Sequence, residues 1–151
     1  MRVKKLEWLK PKDYRNQKYI ELRLHAPKSE KILLDFNPLR MSDKPDWNPQ
    51  LEEWHCYPTP LRVYQQDYNL LIGYFKRIYP INDAFDGTVC DYFDCCFDNW
   101  IGTSDWLLII AEIEKEIDTF SHDEKCFLEE FLSWLKEALK HTSIIVVEGN
   151  L

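Results

Sequence analysis

Glycine is scarce in this chain. Gly73, Gly87, Gly102 and Gly149 are spread over 151 positions, so no glycine-rich loop cradles a phosphate. Long apolar runs are missing too, and none approaches the ~18 residues of a membrane helix. The first residues, Met1-Arg2-Val3-Lys4-Lys5-Leu6-Glu7, carry charge but no apolar core or small-residue cleavage site, so they do not read as a signal peptide. Cys56, Cys90, Cys95, Cys96 and Cys126 are an odd set without framework or Cys-x-x-Cys spacing. They read as reduced, mostly buried thiols in a cytoplasmic protein. His55-Cys56, Cys90 and Cys95-Cys96 lack zinc-ligand spacing, and Asp83 to Gly87 lacks the alternating oxygens of a calcium loop. No metal and no cofactor is expected. Nothing electropositive surrounds the cysteines to hold a thiolate, so a nucleophilic Cys–His pair is not indicated.

The most informative deficit is local. Residues 81–106 contain no Lys or Arg, yet carry Asp83, Asp86, Asp91, Asp94, Asp98 and Asp105. Phe85, Tyr92, Phe93, Phe97, Trp100 and Trp106 are threaded between those acids. The net charge of −7 hides an asymmetry: residues 1–80 hold 15 Lys and Arg against 10 Asp and Glu, whereas residues 81–130 hold 2 against 14. A surface this one-sided attracts a cationic partner and repels a phosphate backbone, so direct nucleic-acid binding through it is disfavoured. Asp83, Asp86, Asp91, Tyr92, Asp94, Asp98, Asp105, Glu112 and Glu116 are the candidate partner-binding residues, with the acids steering and exposed rings such as Tyr92 anchoring.

What is present suffices for a folded chain: 45% hydrophobic and 15% aromatic residues supply a core, and residues 1–151 read as one domain. Lys18 to His25 alternates, with Ile20, Leu22 and Leu24 on one side, and predicts a half-buried strand. Lys31 to Phe36 predicts its antiparallel partner across the turn Ala26-Pro27-Lys28-Ser29-Glu30. Leu6 to Leu9 could add a short edge. Pro38, Pro45, Pro49, Pro58 and Pro60 bar a long helix and any central strand from 37 to 60. That stretch, with Trp47 and Trp54, reads as a loop packed down as a lid.

Leu61, Tyr64, Tyr68, Leu71, Ile72, Phe75 and Tyr79 follow one helical face, giving a helix that starts between Arg62 and Asp67 and stops before Pro80. Asp86-Gly87 marks a turn. Cys90, Phe93, Cys96, Phe97, Trp100 and Ile101 fall on helical steps, with Gly102 as the stop and Asp91, Asp94 and Asp98 as the outer ridge. A strand there stays open, because the aromatic density is high. Thr103 or Ser104 caps the next helix, which has Asp105 in its first turn, buries Trp106, Ile109, Ile110, Ile113 and Ile117, and turns Glu112, Glu114 and Glu116 outward. Ser121-His122-Asp123-Glu124 is a capping box opening a helix to about Lys140 that buries Phe127, Leu128, Phe131, Trp134, Leu135 and Ala138. Ser143 to Val147 predicts an inner strand. The expected fold is α+β: a small antiparallel sheet of N-terminal strands plus the C-terminal strand, packed with three to four helices from the second half.

Phe97-Asp98-Asn99-Trp100-Ile101-Gly102, then Asp105-Trp106, and the tail Ile144-Ile145-Val146-Val147-Glu148-Gly149-Asn150 resemble small bacterial immunity proteins of contact-dependent growth-inhibition and polymorphic toxin systems. The likeness covers residues 80–150 and lies in texture, not in a diagnostic motif. It implies a non-catalytic cytoplasmic protein that binds one cognate toxin domain, a basic nuclease in many such systems, and blocks its active site. The positive N-terminal half departs from a uniformly acidic inhibitor. Two other classes remain as alternatives: a small enzyme with a site under the 37–60 loop using His55 and Cys56, or an adaptor in a larger assembly.

Overall fold

The computed structural model describes residues 18–39 and 59–151. In chain order they form β1 (Ile20–Leu22), β2 (Leu33–Leu39), β3 (Leu61–Tyr64), α1 (Gln65–Arg77), β4 (Ile81–Asn82), β5 (Val89–Cys90), β6 (Asp98–Gly102), α2 (Thr103–Glu116), a 3-10 turn (Ile117–Thr119), α3 (His122–Leu139) and β7 (Ile144–Gly149). Five strands make one sheet in the order β1-β3-β2-β7-β6, and β4 and β5 form a separate hairpin. The fold is α+β, with the three described helices packed on one face of the sheet.

The sheet is mixed, not purely antiparallel. β1 runs parallel to β3, whereas β2 pairs antiparallel with both β3 and β7, and β6 antiparallel with β7. The expected hairpin between the first two strands is therefore absent, and β3 lies between them. Asp67, fully buried in the first turn of α1, explains the departure. Its carboxylate accepts the backbone N–H groups of Leu24 (2.8 Å), His25 (2.7 Å) and Ala26 (3.2 Å), drawing the chain off the sheet just after β1. The slot beside β2 is left for residues 61–64. Leu61 and Tyr64, assigned by periodicity to a helical face, belong to β3, because residues 61–64 pair with β1 on one side and β2 on the other, and that pairing overrides the local period.

β2 continues through Pro38 despite lying inside the sheet. Its pairing with β3 ends at Phe36↔Leu61, so among the described residues Pro38 has a strand neighbour in β7 alone and the missing N–H breaks no ladder with β3. β7 is the expected inner strand, flanked by β2 and β6. Residues 6–9 and the lid residues Trp47 and Trp54 lie outside the described residues.

The core sits between the sheet and the helices. Phe36 of β2 meets Phe75 (5.9 Å), Trp106 (6.3 Å), Phe131 (5.3 Å) and Trp134 (6.2 Å), so one ring touches all three helices. Trp106 is fully buried with its indole N–H donating to the Ile101 carbonyl at 3.0 Å, which removes the cost of burying that donor. Leu128, Phe131 and Leu135 are fully buried along α3, each worth about 1.5–3 kcal/mol of burial. The capping box at Ser121 and Glu124 is present as expected. α2, by contrast, is entered directly from β6 at Gly102 with no side-chain cap, and the Thr103 hydroxyl donates to the Ser143 carbonyl instead.

Candidate functional site

Residues 81–102 project as a hairpin, a loop and an edge strand, not as the helix that the spacing of residues 90–101 predicts. Cys90 ends β5, and Asp98 to Gly102 form β6. Pairing decides this: Asp98 to Gly102 register with Glu148 to Ile144 of β7, so tertiary strand contacts override a local helical period. Gly102 ends a strand and opens α2, and Asp91, Asp94 and Asp98 share no helical ridge.

The hairpin is built by its own acids. Asp83 accepts the Phe85 N–H on its side chain (2.7 Å) and the Gly87 N–H on its carbonyl (2.8 Å). Asp86 accepts the N–H (3.0 Å) and hydroxyl (2.7 Å) of Thr88, and these bonds hold its carboxyl below the usual range. Gly87 has φ 79°, a left-handed conformation that favours glycine at the turn. The Ala84 N–H donates to the Trp100 carbonyl (3.1 Å) and the Phe85 ring lies 4.9 Å from that of Trp100, so the hairpin leans on the β6 edge.

Asn99 organises the following loop, although nothing singled it out in the sequence. It is buried in β6; its side chain accepts the Asp94 N–H (2.8 Å) and donates to the carbonyls of Asp94 (2.7 Å), Phe97 (3.2 Å) and Val147 (3.0 Å). Asp94 in turn accepts the Cys96 N–H at 2.8 Å. Phe93 plugs the loop into the core beside Phe75 (5.2 Å) and Tyr79 (6.1 Å). With Asn99 and Phe93 pointing inward, Tyr92 and Phe97 are left 70% and 69% exposed.

Between hairpin, loop and β6 lies an open cleft of about 330 Å³, lined by Asp83, Asp91, Asp94 and Asp98 together with Tyr92, Phe97 and Trp100. Five of the nine expected partner-binding residues thus converge: Asp83, Asp91, Tyr92, Asp94 and Asp98. Asp86 stands at the hairpin tip, committed to Thr88. Asp105 lines a second hollow of about 720 Å³, whose walls share Ile81 and Val89 with the first and include Leu108. Desolvation by burial raises the carboxyls of Asp98 and Asp105 above the ordinary range.

Glu112 and Glu116 do not join the cleft. Glu116 accepts the Tyr74 hydroxyl (2.6 Å) and pairs with Arg77 (3.1 Å), which also reaches Glu112 (3.3 Å). These bonds, the tyrosine's first, hold the Glu116 carboxyl below its usual value.

Burial, then Asp83, pushes the Cys90 thiol up, and burial does the same for Cys95, so neither is held as a thiolate. Among the described residues no three His, Cys, Asp or Glu side chains are placed to hold one metal ion. His55 and Cys56 lie outside the described residues. No described helix is long and apolar enough to cross a membrane. What the cleft offers chemically is negative charge beside ring faces, groups that hold a cation and cover apolar surface. No protein-family model, no curated protein and no solved structure matches this chain.

Proposed function

We propose that this protein is an immunity-type inhibitor that neutralises a basic toxin domain, of nuclease type, by binding it through the cleft of Asp83, Asp91, Asp94 and Asp98. The observation that carries this reading is four cleft-lining carboxylates flanked by two rings, each more than two-thirds exposed. The acids accelerate encounter with a positive groove, and Tyr92 and Phe97 supply the desolvated anchors that slow dissociation. A nuclease groove is basic because it binds phosphates, so an acidic face seated in it excludes the substrate. Action in the cytoplasm belongs to the same proposal.

The test is capture of partners by the tagged chain from the source-cell lysate at low salt, followed by elution with salt. A stoichiometric basic protein, toxic when expressed alone and harmless when expressed with this chain, supports the reading. Absence of such a partner, or toxicity unaffected by co-expression, overturns it.

A further inference from the structure

One row of the sheet is charged from edge to edge. Glu21 of β1 registers with Arg62 of β3, Arg62 with Asp35 of β2, Asp35 with Glu148 of β7, and Glu148 with Asp98 of β6. Strand alternation places all five on the face opposite Phe36 and the helices. Directly opposed residues stand about 4.5–5.5 Å apart at Cβ, so the order of signs matters.

The first three members alternate in sign. Arg62 grips Asp35 with two parallel bonds, Nε to Oδ1 at 2.7 Å and Nη2 to Oδ2 at 2.8 Å. The last three do not alternate: Asp35, Glu148 and Asp98 are successive acids. Glu148 faces Asp35 from β2 and Asp98 from β6, with Arg62 one strand further and Tyr19 ahead of β1. Among the described residues the cation of the row, Arg62, is already spent on Asp35. Burial, then Asp98 and Asp35, push the Glu148 carboxyl up to about 7, against the pull of Arg62. Asp98 is at once the end of this row and part of the cleft wall.

We propose that Glu148 and Asp98 hold a proton between them in the free chain, and that a basic partner seated in the cleft expels it, making binding proton-linked. This rests on the cleft being the site of a basic partner. A cation beside Asp98 completes the alternation that the row lacks and favours the doubly ionised pair. In the free chain Glu148 titrates higher than it would unfolded. Its contribution to stability is therefore full below the ordinary value of 4.5, declines as pH rises to about 7, and is level beyond. Affinity for a cation runs the other way, rising over the same window.

Two measurements test this. Carbon-detected NMR titration of the free chain gives a Glu148 midpoint near neutrality that falls in Asp98→Asn; a midpoint in the ordinary glutamate range overturns the proposal. Calorimetry with deca-arginine, in buffers of different ionisation enthalpy, gives proton release on binding and an affinity at least about fivefold tighter at pH 7.5 than at pH 5.5. Glu148→Gln cuts the release by at least about half; should it not fold, Asp98→Asn supplies the comparison. Binding by the native chain without proton release overturns the linkage and leaves the cleft reading standing. No binding at any pH removes both.

Discussion

Glu116 on α2 and Glu148 on β7 carry the same group in opposite circumstances. Glu116 is met by a tyrosine hydroxyl and an arginine from α1, and its neighbour Glu114 by Lys136 of α3 at 3.0 Å. Glu148 is met by two more acids. The Glu116 carboxyl is held low, so its contribution is present above the ordinary value and is lost as pH falls. Glu148 is held high and works in the reverse sense. The two side chains are chemically identical, and only their neighbours differ. Glu112, Glu114 and Glu116 of α2 are spent on holding helices together, whereas Asp83, Asp91, Asp94 and Asp98 line the cleft. A charge count along the chain cannot separate these two uses.

Five variants would break or sharpen that contrast. The largest effect is expected from Gly149→Ala, because a Cβ there would overlap the backbone carbonyl of Cys95. The C-terminal end of β7 is laced to this loop by Gly149 N–H to Phe97 (3.3 Å) and Leu151 N–H to Cys95 (3.2 Å), so neither side can yield freely. Denaturant unfolding should register a loss of about 3 kcal/mol or more, together with collapse of the cleft. Next, Asp67→Ala strands three N–H groups at the exit of β1 and should cost about 2–3 kcal/mol in the same assay. Its effect on cleft binding should be slight, as Asp67 fastens the exit of β1, at the opposite edge of the sheet from β6.

Asn99→Ala should cost about 2 kcal/mol by removing the clasp of the loop. It should also raise the dissociation rate of any cleft-bound partner, since Tyr92 and Phe97 lose their fixed presentation. Unchanged dissociation in surface plasmon resonance would show that the rings are not anchors. Combined Asp91→Asn, Asp94→Asn and Asp98→Asn should leave stability equal or better, because asparagine keeps the acceptor that Asp94 offers to Cys96. Association with a basic partner should slow by about tenfold at low salt and lose most of its salt dependence. Glu116→Gln is the control with the smallest effect: association should not change.

Much of the helical layer was legible from sequence. The capping box at Ser121, the apolar stripe from Phe127 to Ala138 and the buried face from Trp106 to Ile113 are local patterns with one physical solution each. The inner position of β7 was legible too, since an uninterrupted apolar run must be covered on both faces. The converging acids were half legible: their number and the lack of cations among them are in the sequence, but not which of them meet. Residues 90–101 stay open between helix and strand, because aromatic spacing there fits a helix as well as it fits a strand anchored by β7. Asn99 could be recognised only once that strand was known, when a polar residue appears at an inward position beside Ile101.

The sequence by itself therefore determined the α+β class, the presence of α1, α2 and α3 and the sign of the charge, because these depend on propensity, periodicity and composition within a few residues. Tertiary structure alone decided the parallel pairing of β1 with β3, the separation of the α2 acids from the cleft acids, and the row from Glu21 to Asp98. Each of these rests on register between strands distant in the chain, and register is set by which buried groups find partners.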